Sequence, residues 1–466
     1  MNGLVRKGST IAMAILTVAS AQALAAAQTP IRTRARFTTE RGTLVLVEES
    51  HDLPLVDFVL ELRTGSALDP AGKEGLTRLT ARMIRMGTRR MQPTAVEEAI
   101  DALGAQLTIE TSPTYVRFGG SVIRRNLEPF LRLLARLVIE PAFRAADVEL
   151  VKRETIAGII EGRDDDRGLA ALHFRRFLFQ GHPYGRPVMG TPTSVRSIRR
   201  DDVLASYRAS YLASNAILGF AGDVTRAEAE RLVNATFTEL PQGTPVADAV
   251  AEPVAPVGRR VLIVDKPERT QTQVYIGAPG TLPSDPDHFA LLVANTVFGG
   301  TFTARLMKAI RSERGWSYGA YSRLGVDRRR DAFSIWTFPS VRDVVPCVAL
   351  ELELLGTLVE RGITADELRF AQSYLVNSYA FEIDTAADRL GQDSDVEVLG
   401  LPGDYYDDYL AHIRAVTLEQ ANAALRSRLS ADNLVIVLVA TASAVRDALQ
   451  ALPGVSSVDV VSFDSE

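Results

Sequence analysis

The chain states one pattern twice, and this repetition limits its fold more than any other feature. Residues 130–138 read Phe-Leu-Arg-Leu-Leu-Ala-Arg-Leu-Val, a turn follows at Glu140–Phe143, and Ala146-Asp147-Val148-Glu149-Leu150 comes next. Residues 350–358 read Leu-Glu-Leu-Glu-Leu-Leu-Gly-Thr-Leu, a turn follows at Arg361-Gly362-Ile363, and Ala365-Asp366-Glu367-Leu368 comes next. Both segments predict a helix, a short turn, an acidic helix start and a long second helix. Leu150 and Leu368 are 218 residues apart, and so are Asn215 and Asn433, each at a turn that opens a buried strand. The apolar strands Leu44–Val47 and Val261–Val264 are 217 apart. One register recurring at the start, middle and end of each half marks a duplication.

The halves are joined by Pro241–Gly258, where Pro and small residues resist regular structure. The expected organisation is a leader at 1–27, a first domain at 28–240, a linker at 241–258 and a second domain at 259–466. Ala105–Glu110 and Tyr115–Val122 flank Thr-Ser-Pro and read as a hairpin. The order of elements predicts an α+β fold of two homologous domains, each a mostly antiparallel sheet with helices packed on one face.

Met1–Ser9 carries Arg6 and Lys7, an apolar stretch runs from Ile11 to about Ala19, and residues 21–27 offer A-x-A cleavage choices. This is the pattern of a cleaved secretory signal; the apolar run is short for a span and lacks a stop-transfer pattern. The leader resembles a bacterial one, so the expected location is the periplasm, with no stable membrane anchor. Losing Arg6 and Lys7 takes the formal net charge from −5 to −7, which argues against nucleic acid as a partner. Cys347 is the only cysteine, so an intramolecular disulfide, an Fe–S cluster and a Cys-type zinc site are excluded.

The five histidines are His51, His173, His182, His288 and His412, and no two are four apart. Two His one helical turn apart, as in H-x-x-E-H, are therefore missing. Gly75–Thr88 reads Gly-Leu-Thr-Arg-Leu-Thr-Ala-Arg-Met-Ile-Arg-Met-Gly-Thr. Taken with the duplication, it resembles the H-x-x-E-H helix of the pitrilysin/insulinase-like metallopeptidases, Gly-Leu-Ala-His-x-x-Glu-His-Met-x-x-x-Gly-Thr. Arg78 and Arg82 stand at the two His positions and Ala81 at the Glu position. A guanidinium stays protonated and offers a metal no lone pair, and Ala takes no proton from water. Glu154 and Glu161 keep the spacing of the family's third ligand and its supporting carboxylate, but without the His pair they read as a solvated helix face.

The resemblance continues through His182-Pro-Tyr-Gly-Arg-Pro187 with Gly190-Thr191, where His182 reads as structural. It also takes in the glycine-rich loop at Phe298-Gly299-Gly300-Thr301, whose Gly299 and Gly300 stand as substrate-binding candidates. No Gly-Lys-Ser/Thr follows that loop, so it is not a phosphate loop. Ile310-Arg311-Ser-Glu-Arg-Gly315-Trp-Ser-Tyr318 resembles the family's second-half active-site motif. There an Arg and a Tyr donate hydrogen bonds to substrate carbonyls and to the developing oxyanion, a task in which each donor is worth a few kcal/mol. Thr108 and Ile109 replace the family's Asn-Ala on the peptide-binding strand, a change that leaves main-chain strand addition open.

The resemblance implies the zinc-less subunit of a two-chain endopeptidase, like the non-zinc partner of bacterial heterodimers and of mitochondrial processing peptidase. This chain would bind no cofactor and would supply Arg311 and Tyr318. A half-length homologous subunit would carry the zinc, and a peptide would be the substrate. The alternative is a non-catalytic peptide-binding or structural pseudopeptidase. An independent hydrolase finds no support: there is no Gly-x-Ser-x-Gly elbow, and Cys347 lies in an apolar helix without a base.

Overall fold

A computed structural model describes residues 34–466; the leader read at 1–27 lies outside them. The first half builds a six-stranded sheet from β1 (Arg34–Thr38), β2 (Leu44–Glu49), β3 (Leu55–Leu62), β4 (Thr108–Thr111), β5 (Val116–Ile123) and β6 (Ala216–Gly222). Its strand order is β1-β2-β6-β3-β5-β4. The second half builds another from β7 (Arg259–Asp265), β8 (Gln273–Pro279), β9 (Ala320–Leu324), β10 (Ala332–Thr337), β11 (Leu434–Ala440) and β12 (Val455–Ser462), in the order β12-β7-β11-β8-β10-β9. Five strands correspond one to one, and β6 and β11 start and end 218 residues apart, the register read in the sequence.

The sheets differ at one edge. β1 precedes β2 and pairs with it antiparallel, whereas β12 returns from the chain's end and pairs parallel to β7. The remaining parallel pairs are β2 with β6 and β7 with β11. The expected hairpin is β4–β5, with Thr108 opposite Gly119; residues 105–107 stay outside the ladder, although the Gln106 amide still bonds Ser121 O.

Each half packs its own helices on one face of its sheet. Leu131, Leu134 and Val138 of the Leu127–Ile139 helix meet Val45, Phe58 and Leu60 in one core, and the Val344–Arg361 helix does the same against Ile263 and Ile276. The other face of each sheet is covered from across the molecule, which the sequence reading did not foresee. The Asp166–Leu178 helix of the first half lays Leu169, Phe174 and Phe177 on Val435, Val437 and Val439 of β11. The Ala386–Leu399 helix of the second half lays Leu390 and Val398 on Leu44, Leu46 and Ile217. Both helices start on built caps: Asp165 accepts the Arg167 amide, and Thr385 with Asp388 forms a capping box. Each fully buried Leu or Phe here contributes about 1.5–3 kcal/mol.

Residues 241–258 contain no helix or strand, yet they are fastened. Asp248 pairs with Arg328 at 3.1 Å and Arg329 at 3.5 Å, and Val250 O accepts from Arg329 Nε at 2.6 Å. His182 Nδ1 accepts the Tyr184 amide (3.1 Å), so Nε2 carries the proton and donates to Ala251 O at 2.8 Å.

Candidate functional site

The degenerate motif folds as the Leu76–Ile84 helix. Gly75 precedes it with φ +93, and the buried Asp69 carboxylate accepts from Gly75 N (2.9 Å), Thr77 N (2.9 Å) and Thr77 Oγ1 (2.6 Å). Burial pushes the Asp69 pKa up to about 6 against the pull of these donors. Ala81 is fully buried. Arg82 donates to Thr155 Oγ1 and to Glu154 Oε2, both at 2.8 Å, in the neighbouring Ala145–Glu161 helix.

The Arg78 Nε is buried without a hydrogen-bond partner, and desolvation together with the Arg82 charge lowers its proton affinity. Glu161 is exposed at its helix end. Of the two carboxylates, Glu154 therefore joins the Arg82 cluster and leaves the purely solvated role expected for it. Two guanidiniums and a methyl group where a metal would need lone pairs do not fit zinc. Among the described residues, one group places metal-capable atoms within 4.8 Å of one another: Asp404, Asp408 and His412, on the outer surface of the second half. Asp404 lies in the turn before the Tyr409–Ala415 helix, Asp408 is the N-cap residue of that helix and His412 lies within it, and the His412 ring stacks on Phe289.

The Arg311 site is built by a run of special backbone. A π-helical turn at Thr296–Gly300 carries both glycines of the glycine-rich loop, and a second follows at Met307–Ser312, a geometry frequent at functional positions. Gly299 is buried; a Cβ there would lie 2.4 Å from Ser322 N, so only glycine lets this turn reach β9. Ser322 Oγ donates to Asn295 Oδ1 at 2.6 Å, tying the turn to the strand. Gly300 is exposed.

After Arg311 the chain reverses at Gly315 (φ +67), and the Trp316 amide returns to Ile310 O at 3.1 Å. Ser317 Oγ donates to Gly319 O (2.6 Å) and accepts from Phe338 N (3.1 Å), which anchors the loop on both sides of Tyr318. Tyr318 is thereby held outward, 75% exposed. The Arg311 guanidinium lies 4.5 Å from the Tyr318 ring centroid and 4.4 Å from that of Phe302, itself 64% exposed. Among the described residues no carboxylate pairs with Arg311. Two aromatic faces hold the cation by cation–π attraction while its N–H groups stay free to donate. Phe302 was missed in the sequence; its signal was an aromatic residue two positions after the glycine pair.

β9 begins two residues after Tyr318 and forms one free sheet edge, as β4 with Thr108 and Ile109 does in the first half. Thr108 Oγ1 donates to Gly119 O at 2.8 Å. Behind β9, Tyr275, Trp336 and Tyr321 stack across three strands, and Arg167 from the first half caps Trp336 at 3.8 Å. The structure brings Arg311 and Tyr318 together. Among the described residues, no hydrogen bond or ion pair joins them to Arg78 or Arg82.

Comparison with known proteins agrees with this architecture. Residues 44–192 match the insulinase (peptidase family M16) model, and residues 197–375 match that of the peptidase M16 inactive domain. A non-peptidase homolog, YmxG, of Helicobacter pylori is 24% identical over 85% of this chain and 91% of its own length. An uncharacterized zinc protease of Streptomyces coelicolor is 27% identical over 88% and 90%. Among solved structures, a peptidase M16 inactive domain from Pseudomonas fluorescens superposes with TM-score 0.80 at 25% identity, covering 92% of this chain and 99% of that one. The periplasmic protease PqqL of Escherichia coli superposes with TM-score 0.74 at 16% identity, covering 90% of this chain and 49% of that one. With both family models matched in order along the chain and the two-sheet fold shared, this protein belongs to the pitrilysin/insulinase-like peptidase family M16.

Proposed function

We propose that this chain is the non-zinc subunit of an exported two-chain endopeptidase and contributes Arg311 and Tyr318 to substrate bound across the pair. The observation that carries this reading is the Arg311 guanidinium, held between two exposed rings with no carboxylate among the described residues to neutralise it. A purely structural arginine would be expected to find an acidic partner. A donor set aside for carbonyl oxygens is better left unpaired and oriented in advance. The exposed Gly300 and the free edge of β9 lie beside it as surfaces for an extended peptide. The zinc, its water and the general base would come from a half-length homologous partner. Export to the periplasm follows from the leader-like residues 1–27 and accords with a relative described as a periplasmic protease.

A second reading, a non-catalytic pseudopeptidase, is favoured by the Arg82–Glu154 pair that fills the vacated motif, and one relative is described as a non-peptidase homolog. The test is a tagged pull-down from the native periplasm, the co-purifying chain identified by mass and the complex assayed on a quenched peptide. A stoichiometric H-x-x-E-H partner is expected, with chelator-sensitive cleavage that neither chain shows alone. In that pair Arg311→Ala or Tyr318→Phe should slow cleavage about 10²-fold, the usual effect of losing one oxyanion donor. An unchanged rate in both variants, or an inactive self-associated product, moves the assignment to the pseudopeptidase.

A further inference from the structure

A cavity of about 390 Å³ lies away from the Arg311 site, between the end of the Ala145–Glu161 helix, the Asp166–Leu178 helix and the 184–192 segment, with Phe463–Glu466 at its wall. Its size falls within the roughly 300–1,000 Å³ of small-molecule pockets. Ile159, Leu172 and Met189 give it apolar walls, and the polar groups that reach it are unevenly matched.

His173 is 4% exposed and lines the cavity, yet its ring nitrogens have no hydrogen-bond partner among the described residues. Arg176 also lines the cavity, is half-buried, and has no ion pair or hydrogen bond among the described residues. Its charge is close enough to lower the proton affinity of His173, so the two groups share one space. The other guanidiniums are placed differently. Arg175 is paired with Asp331 at 2.6 Å, Arg186 donates to Asp69 O at 2.9 Å, and Arg163 stands free at the rim. The two acidic side chains on the lining are also engaged: Asp165 caps the Arg167 amide, and Glu466 accepts the Thr193 amide at 3.0 Å. The cavity therefore presents Arg176, with the uncompensated charges of Arg163 and Arg186 beside it, and an imidazole that no described residue engages, all against apolar walls. That combination complements an anion with an apolar body.

We propose that this cavity binds a small free monocarboxylate, its carboxylate taken by Arg176 and His173 and its apolar body lying against Ile159, Leu172 and Met189. A phosphate or other compact, fully hydrated anion would leave the apolar walls uncovered. A neutral alcohol would leave Arg176 unpaired. Burial keeps the imidazole uncharged near neutral pH, its pKa pushed down to about 4, so it serves as a hydrogen-bond donor and Arg176 supplies the charge.

The test is isothermal titration of the full mature chain with octanoate, 1-octanol and N-acetyl-Leu-Phe as free acid. Octanoate should bind with Kd below about 1 mM and octanol at least about tenfold more weakly. Arg176→Gln should weaken octanoate about tenfold or more, and Arg153→Gln, on the exposed face of the neighbouring helix, should leave it unchanged. Because Arg176→Gln could act through folding, a second variant fills the space directly. A Cβ at Gly158 meets only Met189 Cε at 3.7 Å, so Gly158→Leu enters the cavity without forcing backbone to move. Gly158→Leu should abolish binding while keeping the thermal midpoint at or above that of the parent. Equal affinity for octanol and octanoate, octanoate binding that survives Gly158→Leu, or binding of the peptide acid but not octanoate would each overturn the proposal.

Discussion

Glu48 in β2 and Arg389 from the opposite half form an ion pair at 3.3 Å with side chains 0% and 8% exposed. Arg389 also donates to Ile383 O (3.0 Å) and Asp384 O (3.2 Å), so its guanidinium ties the end of one helix to a strand 341 residues earlier. One helix turn further on, Ser394 donates to Glu61, and Glu61 and Asp395 both pair with Arg117. The seam between the halves is thus apolar in its centre and ionic along its flank.

Removing one partner of a buried ion pair takes the neutralising charge away from the other. Arg389→Leu is therefore expected to destabilise the protein by about 3–5 kcal/mol, read as a shift in urea midpoint. Replacing both partners, Glu48→Gln with Arg389→Met, should recover most of the loss, because the cost lies in a buried carboxylate deprived of its guanidinium. A double variant as weak as the single one would assign the loss to the carbonyl bonds at Ile383 and Asp384.

The exchanged helices predict how the halves unfold. Without the second half, Leu44, Leu46 and Ile217 lose the cover of Leu390 and Val398; without the first, Val435, Val437 and Val439 lose that of Phe174 and Phe177. The intact chain should melt in one cooperative transition. Residues 34–240 and 259–466, made separately, should each expose this apolar face, bind a hydrophobic dye and lose the signal on mixing. Phe174→Ala should lower the single transition by about 3–5 kcal/mol without splitting it. Two resolved transitions in the intact protein would mean that the halves are energetically independent.

Glu351 gives a pH dependence with a definite sign. It is fully buried, Thr337 lies beside it, and neither carboxyl oxygen has a partner of hydrogen-bonding geometry. Burial raises its pKa from 4.5 to about 8. Between these values the native state holds a proton that the unfolded chain has released, so stability falls as pH rises through the window. Asp69 and Asp395, pushed up to about 6, act in the same direction at lower pH. His173 and His288, pushed down to about 4, act in the opposite direction up to about 6.5. From about pH 6.5 to 8 the Glu351 effect stands apart from these. Denaturation midpoints should decline across that interval in the parent and stay level in Glu351→Gln. An equal slope in the two proteins would remove Glu351 as its source.

The duplication was legible because register survives divergence: Asn215 and Asn433 still precede β6 and β11, and Leu44–Val47 and Val261–Val264 still lie in paired strands. The loss of the zinc ligands was legible because Arg78 and Arg82 are chemically unable to serve. The helix exchange was not. The Asp166–Leu178 and Ala386–Leu399 helices carry ordinary amphipathic patterns, and periodicity says that a face is buried without saying which sheet buries it. Arg328–Arg330 gives no sign in the sequence of its anchors at Asp248, Val250 and Glu252. Nothing in the sequence sets His173 apart from the other histidines, since only three dimensions show that its ring lines a cavity.

The filled motif makes a prediction about metal. Arg82 bridges Thr155 and Glu154 where the family places its ligands, and a guanidinium does not exchange its proton for a cation. Extended dialysis against a chelator should therefore leave the thermal midpoint of this chain alone unchanged. Glu154→Gln should cost less than about 1 kcal/mol, because both side chains of the pair remain partly open to water, at 30% and 50% exposure. Arg82→Ala should cost more, since it strips the buried Thr155 hydroxyl of its donor as well. A chelator-induced drop would locate a structural cation elsewhere, with Asp404, Asp408 and His412 the first residues to replace. A drop that persists in Asp408→Asn/His412→Gln would instead mean that the Arg78–Arg82 helix is not the metal-independent element its ion pair implies.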